Sequence, residues 1–125
     1  MSGGDWKEMY GAAVDGDVYL VRYYLGRQVD PNFQHPEFRC TALVGALLAG
    51  QVETSRALLD GGADPRLLSE FDELTPAQAA WRGGKPALRE LLAAYGVAAE
   101  EGADAAPVPA ERFGLRELWQ WWRTG

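Results

Sequence analysis

The side chains best suited to covalent chemistry are Cys40 and His35, close together in the segment Phe33–Cys40. A thiol beside an imidazole can form a nucleophile–base pair, because the base raises the reactive thiolate fraction. No third group in the sequence is evident to orient the imidazole, so packing or plain exposure is the expected role. Gly83-Gly84-Lys85-Pro86 carries the glycines and lysine of a phosphate cradle. Pro86 stands where a Mg²⁺-binding hydroxyl is needed, and the glycines read as a turn between helices. The acid pairs Asp15/Asp17, Asp72/Glu73 and Glu100/Glu101 could attract a cation. They lack the spacing of a calcium loop, and solvated turns are expected. A lone cysteine allows neither an internal disulfide nor a cysteine-based zinc cluster, and a lone histidine removes His-pair metal sites. The chain is therefore expected to be no enzyme and to use no cofactor and no metal.

The elements that carry these residues must fit 125 residues, enough for one domain. Hydrophobic residues make up 47% and charged residues 24%, a normal globular mix. The net charge is −6, from 18 acids against 12 bases, with no cluster of Lys and Arg. That balance argues against nucleic acid and anionic membrane surfaces as partners, since both require a basic face. The longest uncharged run, Cys40–Val52, is too short to span a bilayer. Met1–Tyr10 carries Asp5 and Glu8 and no apolar stretch, so no secretory signal and a cytoplasmic location are expected.

The chain repeats itself every 34 residues without a gap. Gly16 is followed by Gly50 and Gly84, Ala12 by Ala46 and Ala80, and Tyr24 by Leu58 and Leu92. Asp30-Pro31 maps onto Asp64-Pro65, and Thr41 onto Thr75. Within each unit, Thr41-Ala42-Leu43 and Thr75-Pro76-Ala77 read as helix starts: a Thr hydroxyl caps free N–H groups and Pro suits the first helical position. A short helix of small residues ends at Gly50 or Gly84, where positive φ is tolerated. A second helix follows, with an apolar stripe at Val52, Ser55, Leu58 and Leu59 and its counterparts. An extended excursion of about a dozen residues leads to the next Thr. One such unit has no closed core, so the units should stack, and the alanines let neighbouring helices approach.

The stretches "TALVGALLAGQVETSRALLDGGADP" and "TPAQAAWRGGKPALRELLAAYG" resemble the ankyrin repeat family, with its TPLH-like helix start, Ala-Ala, Leu-Leu and Gly-Ala-Asp signatures. "AAVDGDVYLVRYYLGRQVDPN" resembles a first, N-terminal capping unit, with Trp6–Tyr10 in place of the Thr start. The family's His after Leu is Val44 and Gln78 here, and its turn glycine before Thr is replaced by Arg39 and Glu73. The resemblance implies an all-α solenoid of three helix-turn-helix repeats with extended fingers over 1–99 (approximately 5–38, 39–72 and 73–99). Residues 100–110, rich in Ala and Pro, read as a linker. Residues 111–125 return to helical spacing, with Leu115, Leu118, Trp119 and Trp122 on one face. This Trp-rich helix either caps the stack or anchors a partner. Each buried Trp removes about 150–250 Å² from water, worth roughly 4–6 kcal/mol before entropy costs.

The resemblance further implies binding of another protein through finger tips and the concave face of the inner helices. On the first finger the matching positions are His35, Glu37, Phe38 and Cys40. On the second they are Ser69, Phe71, Asp72 and Leu74. The inner helices give Val14, Asp15, Leu48 and Arg82, and the tail gives Trp121, which lies off the apolar stripe. Phe33, Leu67 and Leu68 are expected to fill the gap between fingers, while Phe38 and Phe71 divide between packing and recognition. The acidic fringe Glu37, Glu70, Asp72 and Glu73 points to a partner with a basic face. The expected role is an inhibitor, an immunity-type protein or an adaptor, a monomer when free. The alternative is a structural or assembly subunit that self-associates through the Trp-rich helix. The Ala-, Gly- and Arg-rich composition suggests a high-GC bacterial source.

Overall fold

The computed structural model describes residues 3–98 and 100–103. The expected linker beyond 103, the helix over 111–125 and Trp121 lie outside these residues. Among the described residues six helices follow one another: α1 (Gly3–Asp15), α2 (Val18–Gly26), α3 (Ala42–Leu48), α4 (Val52–Asp60), α5 (Pro76–Gly83) and α6 (Pro86–Ala93). They form three antiparallel pairs. The inner row is α1, α3 and α5, and the outer row α2, α4 and α6, each helix packing on its neighbours in its row and on its pair mate.

The helix starts have the caps their residue types provide. The Thr41 hydroxyl accepts from Val44 N at 3.2 Å. Thr75 and Gln78 form a reciprocal box: Gln78 N donates to the Thr75 hydroxyl at 3.3 Å, and Thr75 N to Gln78 Oε1 at 3.0 Å. Asp17 caps α2 by accepting from Leu20 N. Such caps are each worth about 1 kcal/mol. Between the helices of each pair, Gly16, Gly50 and Gly84 adopt φ of 85°, 75° and 84°, the left-handed turn that glycine enters without strain.

The 34-residue equivalence extends to packing. Ala12, Ala46 and Ala80 are all buried on inner helices, among one continuous core. Asp17 N donates to Ala12 O, and Gln51 N to Ala46 O, both at 2.9 Å. Consecutive pairs are locked by the residue that opens each later outer helix. Gln51 Nε2 reaches back to Val14 O (3.1 Å), and Lys85 Nζ to Gly50 O (2.9 Å). The lysine of the Gly83-Gly84-Lys85-Pro86 stretch therefore holds a neighbouring carbonyl, and Pro86 begins α6. Gly83 permits the tightest approach: a Cβ there would fall 2.2 Å from Leu47 O.

A candidate partner-binding surface on the fingers

The loops after α2 and α4 are fingers tied to each other by side chains. Asn32 donates to Gly62 O at 3.0 Å and accepts from Asp64 N at 2.7 Å. Gln34 donates to Leu68 O at 3.1 Å and accepts from Glu70 N at 3.2 Å. One repeat later, Arg66 stands in for Asn32. It donates to Gly96 O at 2.9 Å and pairs with Glu101 at 2.6 Å. The second finger closes on itself through an antiparallel bridge between Ser69 and Leu74. Its turn is pinned to the first finger where Phe71 N donates to Arg39 O at 2.8 Å.

The base of the first finger is an aromatic cluster. The His35 ring lies 4.9 Å from Phe38 and 5.9 Å from Trp6, and Trp6 lies 5.9 Å from Phe33. Glu37 N donates to His35 Nδ1 at 3.1 Å, which places the neutral ring's proton on Nε2. Lys7 Nζ sits 5.9 Å from the centroid of Phe38. Cys40 is buried beside the Tyr10 hydroxyl. Burial, reinforced by the Asp72 charge, pushes its thiol up to about 12. Burial likewise holds the Tyr10 phenol well above its ordinary range. The Cys40 thiol is thus protonated at neutral pH, and a protonated thiol is a poor nucleophile. No group of three or more His, Cys, Asp or Glu that could hold a metal occurs among the described residues. No described helix is long and apolar enough to cross a membrane.

No family model matches the chain. It is 33% identical over 69 residues to an ankyrin repeat protein of fowlpox virus (strain NVSL), a match covering 55% of this chain and 9% of the viral protein. Its fold superposes on the crystal structure of the human ASB11 ankyrin repeat domain with a TM-score of 0.64 and 26% identity, covering 70% of this chain and 39% of that one. The chain has the fold of an all-α ankyrin repeat solenoid. It spans well under half the length of either ankyrin protein.

The ankyrin fingers sort the expected contact residues into two groups. Cys40, Ser69, Asp72 and Leu74 are interior. Ser69 donates to Asp72 Oδ2 at 2.7 Å and accepts from Thr41 N at 3.2 Å, so these polar groups tie the finger to the start of α3. Expecting them on the outer surface overlooked how tightly a two-stranded turn folds onto the helix that follows it. Asp72 accordingly leaves the acidic fringe, which consists of Glu37, Glu70 and Glu73. Val14 is also buried, whereas Asp15 is exposed. His35, Phe38, Leu48 and Arg82 are half-buried. Phe71 is 49% exposed, and Leu68, expected between the fingers, is 44% exposed. Leu67 is half-buried as expected. A residue alternation in Leu67-Leu68-Ser69 carries the signal: an extended segment that buries Ser69 turns Leu68 outward.

Proposed function

We propose that this ankyrin module is a non-enzymatic protein-binding unit that covers a site on a partner protein with its finger tips and the edge of its inner helices. The observation that carries the reading is Phe71. A large apolar ring stands about half in solvent on a turn held by three finger-to-finger hydrogen bonds, from Phe71 N to Arg39 and between Gln34 and residues 68 and 70. Exposed aromatic rings on pre-organised loops lose little entropy on binding and are favoured anchors. Leu68, also partly exposed, adds a second apolar side chain, and Leu48 and Arg82 are half-buried near the C-terminal ends of α3 and α5. Glu37 and Glu73 flank the tips, while Glu70 pairs with Arg39 at 3.5 Å. This fringe favours encounter with a basic partner.

In this reading the chain acts as an inhibitor, an immunity-type protein or an adaptor, monomeric when free, in the cytoplasm of a bacterium. The test is affinity capture from the native host with the wild-type chain and with Phe71→Ser plus Leu68→Ser. The double variant should keep its helical circular dichroism and lose the captured protein. Undiminished capture would refute the finger assignment. Phe38→Ala is a poorer probe, because Phe38 also packs on His35.

A further inference from the structure

Each outer helix has one flank that receives the outer helix before it. On α6 this flank is Ala87, Glu90, Leu91, Ala94 and Tyr95, which border the groove against Arg56 of α4. One repeat earlier the same positions on α4 are Glu53, Arg56, Ala57, Asp60 and Gly61. Gly61 faces α2, since a Cβ there would meet Leu25 Cδ1 at 2.8 Å, and Ala57 is buried, while Glu53, Arg56 and Asp60 are exposed. Another repeat earlier, on α2, the positions are Tyr19, Arg22, Tyr23, Gly26 and Arg27. No outer helix precedes α2 among the described residues. Tyr19 is 82% exposed and Tyr23 54%, and Arg22, Gly26 and Arg27 are exposed beside them.

The residue types change with the environment. Where the flank meets a helix of this chain, it carries Ala57 and Gly61 on α4, the counterparts of Tyr23 and Arg27, and the buried Leu91 on α6, again the counterpart of Tyr23. On α2 it carries two tyrosines one turn apart and two arginines. The Arg27 guanidinium lies 5.6 Å from the Tyr23 ring centroid, and Tyr24 meets Tyr23 edge-on at 5.1 Å. Tyrosine and arginine are the types enriched at interface hot spots, since each offers a wide apolar contact with a polar tip. Both charges on this flank are positive, in a chain whose net charge is −6.

We infer that the exposed flank of α2 is a second docking surface, for an amphipathic helix of a partner protein that carries acidic residues beside its apolar stripe. The second repeat gives the precedent: at the position of Arg27, Gly61 lies against the apolar Leu25 of the outer helix before it, and at the position of Tyr23, Ala57 is buried. Acidic side chains on the incoming helix would meet Arg22 and Arg27, while its apolar stripe covers Tyr19 and Tyr23. The surface lies on the outer helix row and does not depend on the finger reading.

The experiment uses the full chain and two synthetic helical peptides of about 15 residues, with Leu at i, i+3, i+4 and i+7 and flanked by Glu in one and by Lys in the other. Amide shifts are followed by NMR titration. The Glu peptide should perturb residues 19–27 and bind at least roughly tenfold more tightly than the Lys peptide. Tyr19→Ser plus Tyr23→Ser should abolish the perturbation without lowering the melting temperature, because both rings are mainly in solvent. Arg22→Glu plus Arg27→Glu should reverse the charge preference, and Phe71→Ser should leave binding unchanged. Absence of perturbation at 19–27, shifts confined to the fingers, or equal binding of both peptides would each overturn the inference. So would shifts at 19–27 that follow the protein's own concentration without peptide, which would make the flank a contact between copies of this chain.

Discussion

Among the described residues, three with side chains stand in the left-handed region: Gln28 at φ 70°, Arg39 at 58° and Glu73 at 56°. Gln28 is the first-repeat counterpart of Gly62 and Gly96, which take φ of 105° and 91°. Arg39 and Glu73 are counterparts of each other, two residues before the capping threonines. A Cβ in this region crowds the following carbonyl and costs about 1–2 kcal/mol. Glycine removes that cost but adds about 0.5–1 kcal/mol of unfolded-chain entropy. Each change to glycine should therefore stabilise by roughly 0.5–1 kcal/mol. Gln28 and Glu73 are exposed, so their side chains forfeit little. Arg39 forfeits an exposed pair with Glu70, worth well under about 1 kcal/mol. Gln28→Gly and Glu73→Gly should add; Arg39→Gly and Glu73→Gly can couple, because Phe71 N on the second finger bonds Arg39 O. The triple variant should gain about 2 kcal/mol, raising Tm by roughly 10 °C for a domain of this size. Urea unfolding by circular dichroism measures it. The matched alanine variants, which keep the Cβ, are the control and should show little gain. Glycine variants no more stable than the alanine variants would refute the strain argument.

Other consequences are as direct. Asn32→Ala removes both side-chain bonds to Gly62 and Asp64, and should cost about 1–3 kcal/mol. Hydrogen exchange should show Asp64 N losing protection first; unchanged exchange there would exclude the bridge. Cys40, with its thiol raised to about 12, should alkylate at pH 8 at least roughly 1,000-fold more slowly than in urea. The same shift has a sign in stability: the neutral thiol is favoured by folding, so its contribution is complete below about pH 9 and is lost as pH rises towards 12. Tyr10 shifts in the same direction, so the urea midpoint should fall between pH 8 and 11, and a flat profile would contradict both burials. Deleting residues 104–125 should lower Tm by several degrees if the tryptophans cap the stack, about 1 kcal/mol or more; an unchanged Tm would remove that role.

What the sequence made legible was whatever recurs. The inner helices, the turn glycines, the capping threonines and the apolar stripe of α4 all follow from spacing and residue type, because each repeat poses the same local problem. The missing turn glycines at Arg39 and Glu73 were visible as departures, and the turn keeps its positive φ there in spite of the side chains. The burial of Cys40, Ser69, Asp72 and Leu74 was not legible. It depends on how one finger folds against its neighbour and on hydrogen bonds such as Ser69 to Asp72, which no periodicity encodes. The exposure of Tyr19 and Tyr23 was equally hidden, since periodicity assigns a face to a helix without saying what lies against it.

Equivalent positions carry unequal residues where their surroundings differ, and the fingers show this. Asn32 and Arg66 occupy one position and seek one target, the carbonyl of Gly62 or Gly96. Between two fingers a short amide suffices, because the next backbone also supplies Asp64 N. Beyond α6 that backbone no longer takes the same path: Ala98 N bonds Glu101, and a longer guanidinium holds Glu101 as well as the carbonyl. Arg66→Asn should then weaken the turn after α6 without repairing it, since asparagine cannot reach Glu101 and the carbonyl together. Exchange of Ala98 N reports this: increased exchange in Arg66→Asn is expected, and full protection would show that the repeat position, not its neighbour, determines the bond.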